Sequence, residues 1–511
     1  MSGIDFSEFA QLSGVLFEEV MMSDVFEDEK DFCDSVMRMD PVVIRERYRE
    51  EGGMDGFEVE RFVRECFDMP GVIGTDELGE VGSGREYVSE VWSRLIREGG
   101  MDGEEGGTRI GLPERCVVPG DRFREMYYWD TYFTCEGLVR DGYGDVVSDV
   151  ADNFAFLIDE YGFIPNANRV YYLTRSQPPL FYRIVGLVDE YVDGRDVGEF
   201  LPGLVREYEF WMRGMGSVEG GESMGRVVNV GDGVVNRYWD ELSRPRFESF
   251  SVDRGYGEEV PVSERGEFYR DVRAACESGW DFSTRWLSDS SDFGSIETTS
   301  LVPVDLNCLL WEFEQWVVDW FEREGVGEYV EVDVGDFVNQ LQVNAECRRE
   351  VIEGECWNSE IGTYVDYHWE DGRSVDRVTA ATVLPLFVGL AGEERAGRVV
   401  ETVKEELLCS GGVLTTAECG SYQWDGPNGW PPLQFFTVRG LERYGYDELA
   451  EEVACRWLGT VDEWFAETGV FHEKYRVDGG GEVAVDGNDY SVQVGFGWTN
   501  GVYAVFDEEY R

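Results

Sequence analysis

Histidine is nearly missing from this sequence of 511 residues: His368 and His472 are the two it has. Histidine is the usual base of a nucleophilic triad and the commonest zinc ligand. Two of them argue against a Ser-His-Asp hydrolase and against a zinc centre. Lysine is almost as scarce. Lys30, Lys404 and Lys474 are the three present, which leaves 41 of the 44 basic residues as arginine. The eleven cysteines include no C-x-x-C pair and are odd in number, so free buried thiols are expected rather than a disulfide framework. No apolar run approaches the roughly 18–20 residues of a membrane span. Residues 1–20 lack a basic stretch followed by an apolar one. A cytoplasmic location is therefore expected, with the chemistry left to carboxylates, Arg, Tyr and Trp and with no metal.

Acid is what the chain has in excess. Asp and Glu total 105, for a net charge of −61. The acid is spread among aromatics along the whole sequence, which excludes a disordered acidic tail. Such a field repels phosphates, so nucleic acid is excluded as a partner. It also repels itself in dilute buffer, whereas at about 1 M salt the Debye length falls to roughly 3 Å. Adaptation to molar salt is the expectation. An acidic face for a basic partner is the weaker alternative, because no one segment holds the charge. A monomer is the working expectation for oligomeric state.

The residues alternate with helical period. In 305–325 apolar residues fall at 306, 309, 310, 313, 316, 317, 320 and 321, with Asp305 as an expected N-cap and Gly325 as a stop. Segments 145–162 and 196–214 repeat the pattern, Pro202 shifting the start of the second. Residues 380–407 read as two short helices joined between Gly389 and Gly392. Strand signals are few, at 330–334 and 469–477. Helices joined by short loops pack antiparallel, and a ring of such hairpins makes an all-α toroid. Residues 1 to about 85 read as a helical extension on a single catalytic domain.

Seven connecting segments, 116–133, 162–179, 243–249, 277–286, 422–434, 471–475 and 495–501, mostly mix flat aromatics with Arg, Asn, Gln, Asp or Glu. That mixture suits a sugar. Pyranose C–H faces lie on indole rings, and hydroxyls take hydrogen bonds from guanidinium, amide and carboxylate groups. Taken singly, each has a structural explanation: a cap at Asp130 or Asp281, with Ser283 an alternative cap, a surface ion pair at Arg122, or a turn at 423–430. Seven in one chain favour a binding site.

At these residues the chain resembles the trehalases, an inverting glycoside hydrolase family. The carriers are "PGDRFREMYYWDTYF" from Pro119, "QWDGPNGWPP" from Gln423, and between and after them "IPNANRVYYLTRSQPP", "ESGWDFSTRW", "EKY" and "GFGWTNG". The resemblance implies an (α/α)6 barrel and hydrolysis of α,α-trehalose to two glucoses, with no cofactor. It implies Asp281 as general acid and Glu473 as general base. It implies sugar contacts from Arg122, Trp129, Asp130, Asn166, Arg175, Ser176, Gln177, Arg246, Glu248 and Gly279. The chain departs from the pattern at Gly120-Asp121 and in 479–494. There the acid expected to close over the site is Asp489 if counted back from Gly495, and Glu482 if counted forward from the glycines; the intact downstream register favours Asp489. Another inverting α-glucosidase, or an inactive sugar-binding homologue, is the alternative.

Inversion uses two carboxyl groups of unlike pKa, about 6.5–9.5 Å apart. Trp280, Phe282 and Trp286 are expected to shield Asp281 from water and favour its protonated form. Lys474 and His472 are expected to help keep Glu473 ionised, and Asp130 to lend negative charge to the transition state.

Overall fold

The computed structural model describes residues 5–23, 25–71, 81–101, 103, 105–231, 233–323, 330, 332–485 and 490–511. Four short helices come first: α1 (Val15–Met21), α2 (Lys30–Cys33), α3 (Pro41–Glu51) and α4 (Val59–Cys66). Each is too short to hold its shape without burying an apolar face. Phe17, Phe32, Tyr48, Phe62 and Phe67 pack into a small core of their own. Tyr127, Tyr171, Tyr172 and Phe247, from loops far along the chain, complete that core.

A ring of helical hairpins follows: α5 (Gly84–Leu95), α6 (Tyr128–Arg140), α7 (Gly144–Tyr161), α8 (Phe181–Tyr191), α9 (Leu201–Trp211), α10 (Phe250–Glu259), α11 (Arg265–Ser278), α12 (Val304–Phe321), α13 (Val334–Gly354), α14 (Leu384–Phe387), α15 (Glu393–Thr402), α16 (Pro431–Arg443), α17 (Asp447–Thr468) and α18 (Gly497–Tyr510). Helices α6, α8, α12, α14, α16 and α18 each touch the next, and α18 returns to α6. Helices α7, α9, α13, α15, α17 and α5 alternate with them outside, giving the (α/α)6 barrel. The closing contact is backbone on backbone: a Cβ on Gly137 of α6 would lie 2.5 Å from Cα of Gly501 in α18. Only glycine at both positions lets the two helices meet so closely. Helices α10 and α11 are an added pair between α9 and α12. A small antiparallel sheet of Ser223–Met224, Val227–Val230 and Gly233–Asn236 precedes them.

The local reasons match the sequence pattern in most places. Val146, Val150, Phe154 and Leu157 form the buried stripe of α7, and Gly162, at φ 82°, ends it in the left-handed conformation. Pro202 sits in the first turn of α9, where its missing N–H costs nothing. Three local expectations fail. Helix α12 starts at Val304 behind Pro303, so Asp305 is not its cap; its carboxylate is bonded to Arg285 at 2.7 Å instead. The helix ends at Phe321, and Gly325 lies outside the described residues. No strand forms among the described residues of 330–334, because Asp333 accepts from the Asp336 N–H at 3.1 Å and caps α13. Of 469–477, Tyr475–Arg476 pairs with Asn428–Gly429.

Charge fixes the extension to the ring. Lys30 is 0% exposed and bonds Asp34 and Glu125, the latter at 2.8 Å, and Glu125 in turn holds Arg169 at 2.6 Å. Removing one partner of such a pair leaves buried charge uncompensated. Lys30→Met is expected to lower stability by about 3–5 kcal/mol in denaturant unfolding. Lys404→Met, at a solvent-facing pair with Glu401, should change it by less than about 1 kcal/mol.

Candidate active site

The long connections that lead into the inner helices gather at the N-terminal ends of those helices. Between them lies a cleft lined by indoles, arginines and carboxylates. Trp129 and Asp130 reach it from the first turn of α6, and Trp498 from that of α18. Asp281 enters on the loop between α11 and α12, and Glu473 on the loop between α17 and α18.

The loop bearing Asp281 is held by polar bonds. Asp425 accepts from Ser283 Oγ, Thr284 N and Thr284 Oγ1 at 2.8–2.9 Å. Trp424 N donates to Phe282 O at 3.0 Å, and Gln423 Nε2 to Asp281 O at 2.5 Å. The loop bearing Glu473 is fixed as firmly. Its N–H donates to Gln493 O at 3.0 Å, and Trp498 Nε1 donates to its carbonyl at 2.8 Å. Gln423 joins the two loops, because its Oε1 accepts from Lys474 Nζ at 3.0 Å while Lys474 also bonds the Glu473 carboxylate.

Glu473 is 1% exposed and Lys474 0%. Burial pushes the Glu473 carboxyl up, and the Lys474 ammonium opposes the shift without cancelling it. His472 contributes no charge at neutral pH: burial first, then Lys474, lowers its pKa to about 4. The expected help therefore comes from Lys474 alone. Burial also pushes the Asp130 carboxyl well above its ordinary range, with Asp281 and Glu473 adding to the shift. That favours a neutral Asp130, which can donate a hydrogen bond to a sugar hydroxyl, over the negative charge expected of it.

The rings around Asp281 have a different occupant from the one expected. Trp280 and Trp286 lie at 4.6 and 4.4 Å from the Arg285 guanidinium, which is bonded to Asp305 and Asp366. Phe282 packs against Phe293 and lies beneath Arg246. Asp281 remains partly exposed, less buried than Asp130 or Glu473. A second aromatic group forms the wall: Trp424 stacks on Trp430 at 3.8 Å and on Trp280 at 5.5 Å, with Trp498 perpendicular to Trp424 and Trp430.

Three arginines meet the cavity, each oriented by acid. Arg122 bonds Asp28 through Nε at 2.5 Å and Nη2 at 3.0 Å. Arg175 bonds Glu248 at 2.7 Å, and Arg246 bonds Asp253 at 2.6 Å. Gln177 Oε1 accepts from Trp129 N at 3.0 Å, and the Asn166 side-chain amide donates to the carbonyls of Ser176 and Cys276. Gly279, at φ 80°, lies so close to Trp129 that a Cβ would come within 2.6 Å of the indole.

The structure thus brings Arg122, Trp129, Asp130, Asn166, Arg175, Gln177, Arg246, Glu248, Gly279, Asp281 and Glu473 to one cavity. Ser176 is not on its wall: its Oγ donates to Ile164 O and its N–H to Glu277, which places it in the layer behind. Asp489 lies outside the described residues. Glu482, the other candidate for closing the site, is exposed and 3.7 Å from Arg476. Residues not singled out from sequence also line the cavity, including Tyr127, Tyr172 and Tyr490. Tyr490 lies under Arg122 at 4.8 Å, a contact between segments more than 360 positions apart that no local pattern announces.

Comparison with known proteins agrees with this geometry. The trehalase family model matches residues 24–511. A periplasmic trehalase of Pseudomonas aeruginosa is 41% identical over 488 residues, covering 95% of this chain and 88% of that protein. A periplasmic trehalase of Xanthomonas axonopodis pv. citri is 40% identical over 493 residues, covering 95% and 84%. Among solved structures, neutral trehalase Nth1 from Saccharomyces cerevisiae superposes with a TM-score of 0.63 at 28% identity, covering 83% of this chain and 79% of that one. A GH63 mannosylglycerate hydrolase from Thermus thermophilus shares the fold at 16% identity, with a TM-score of 0.52 and coverage of 83% and 100%. The expected cytoplasmic location is corrected by the relatives, whose names place them in the periplasm; neither an odd cysteine count nor the first residues of a sequence fixes a compartment. With the family model spanning nearly all of it, and the facing loops of Asp281 and Glu473, stacked indoles and three carboxylate-held arginines around one cavity, this chain belongs to the trehalase family.

Proposed function

We propose that this chain hydrolyses α,α-trehalose to two glucoses with inversion, Asp281 acting as general acid and Glu473 as general base. The observation that carries the assignment is the buried contact of Glu473 with Lys474, in the same cavity as Asp281. Four carboxyl groups line the cavity, Asp130, Glu248, Asp281 and Glu473, and such neighbours disfavour one another's ionisation; Glu248 is already paired with Arg175. Lys474 gives one of them, Glu473, a counter-charge. Glu473 can then take a proton from water, and burial makes it a stronger base than an exposed glutamate. Asp281, on the loop opposite and open to the cavity, gives its proton to the glycosidic oxygen. The indoles supply flat apolar faces for the sugar rings, and Arg122, Arg175 and Arg246 supply donors for hydroxyls. Neutral Asp130 adds a donor of its own.

We further propose that the acidic excess adapts the protein to molar salt, since −61 is spread along the whole chain.

Asp281→Asn and Glu473→Gln should each lower kcat for trehalose by about two orders of magnitude or more; thermal unfolding should change little for Asp281→Asn, while Glu473→Gln, which strands the buried Lys474 charge, should also lower the melting temperature. Near-normal turnover in either would remove that residue from the mechanism. NMR of fresh product should show one β-glucose and one α-glucose per trehalose cleaved; two α anomers would establish retention. Activity followed through a salt series should rise from dilute buffer toward about 1 M, where surface repulsion is screened. Full activity after dialysis into dilute buffer would end the salt proposal.

A further inference from the structure

The N-terminal extension meets the catalytic chain along one alternating strip of charge. Asp28 pairs with Arg122, Lys30 with Glu125, and Asp31 with Arg124 at 3.0 Å. Negative, positive and negative on the extension face positive, negative and positive on the loop before α6. The extension is secured at other points too: Glu29 accepts from Ser251 N at 3.1 Å, and Phe26 stacks on Phe32. Of the three arginine and glutamate partners on the loop, only Arg122 lines the catalytic cavity.

Arg122 is a long side chain with several rotatable bonds, and fixing it costs conformational entropy. Its bonds show what fixes it. Nε and Nη2 both go to the Asp28 carboxylate, a side-on bidentate pair that sets the plane of the guanidinium. Phe123 and Tyr490 lie against that plane at 5.4 and 4.8 Å. Nη1 has no protein acceptor among the described residues, and it belongs to a side chain on the cavity wall. Asp28 is itself oriented, since its Oδ1 accepts from the Lys30 N–H at 2.9 Å. The extension's small core also contains Tyr127 and Tyr172, both on the cavity wall. The extension therefore touches the site at a charged point and across an apolar face.

We propose that Asp28, supplied by the N-terminal extension, is a positioning residue for the reaction: it holds the Arg122 guanidinium edge-on so that its free edge meets the sugar. Asp28 does not itself line the cavity, and it acts through Arg122. This rests on the trehalose-hydrolysis reading, and the wild-type protein separates the two. If wild type releases no glucose from trehalose, that reading fails and Asp28 is not in question.

Given an active wild type, the test is a set of variants assayed on trehalose with thermal unfolding in parallel. Asp28→Asn keeps the shape and removes the charge. It is expected to lower kcat/KM by roughly ten- to hundredfold, the scale of a charged hydrogen bond, with the melting temperature nearly unchanged. Asp28→Glu should recover part of the loss. Asp31→Asn removes a neighbouring pair of the same strip, to an arginine outside the cavity, and should leave kcat and KM unchanged. In an Arg122→Lys background, Asp28→Asn should add little further loss, because its effect runs through the guanidinium. The proposal is overturned if Asp28→Asn matches wild type, if Asp31→Asn loses as much, which would make docking of the extension the cause, or if the Asp28 loss persists in full once Arg122 is replaced.

Discussion

A lysine with no exposure touching a glutamate with almost none is the contact on which the rest of the site depends. Burial alone would strip Glu473 of its charge, because an isolated carboxylate is very costly away from water. Lys474 makes the charged form tenable, and Gln423 and the Trp430 ring, 4.9 Å away, hold Lys474 in turn. The two effects pull in opposite directions, and that opposition is useful. A carboxylate kept ionised by a neighbour, yet raised by burial, is a better proton acceptor than one in solvent. The geometry is not left to the side chain either. Both the N–H and the C=O of Glu473 are bonded, to Gln493 and Trp498, and the chain just after it pairs with Asn428–Gly429. Glu473, the Gln423 amide that links its loop to the opposite one and the stacked indoles are thereby built from adjoining backbone.

Arginine does elsewhere what Lys474 does here. Arg285 is pinned by Asp305 and Asp366 and lies against Trp280 and Trp286. Arg226 is bonded to Glu277, and Arg348 to Glu314. Arg285 and Arg226 stand in irregular connections and tie them to carboxylates on α12 and α11, while Arg348 of α13 and Glu314 of α12 pair helix to helix. A planar guanidinium with five donors ties several acceptors at once. That is a physical reason for a chain so rich in arginine and so poor in lysine to carry large, well-fixed loops on a helical ring. Breaking any one of these pairs leaves the other charge stranded, so each constrains the loop more than it stabilises the fold.

This division of labour explains what could be read from sequence. The ring helices were legible because period 3.6 is a local signal: the stripe of α7 and the glycine at its end are both within one element. The site loops were legible by composition and by family motif. What was not legible is who pairs with whom. The rings beside Asp281 pointed to a shielded acid, whereas they serve Arg285, whose carboxylate partners lie 20 and 81 positions away. Asp305 looked like a cap because it stands at a helix start, but α12 begins one residue before it, and its carboxylate, besides accepting from Leu306 N at 2.8 Å, is taken by the distant Arg285. Ser176 shares a motif with Arg175 and Gln177, yet its hydroxyl is taken by Ile164 O at 2.6 Å in the layer behind. Gln423 gave no signal of its own, since bridging two loops is a property of the folded state.

The same pairing bears on the excess of acid. Many arginines are spent inside, against buried carboxylates, so the basic residues left on the surface are fewer than the composition suggests. The outer face is then more uniformly acidic than a simple count of residues implies. Salt screens exposed charges within a Debye length and hardly touches buried pairs. It follows that ionic strength acts on the shell of this protein and not on Glu473–Lys474 or Arg285–Asp305. The place where the two regimes meet is the seam between extension and ring, where Lys30 is fully buried but Asp28 and Asp31 are partly open to solvent. There, molar salt screens the partly exposed Asp28–Arg122 and Asp31–Arg124 pairs while leaving the buried Lys30–Glu125 pair largely untouched.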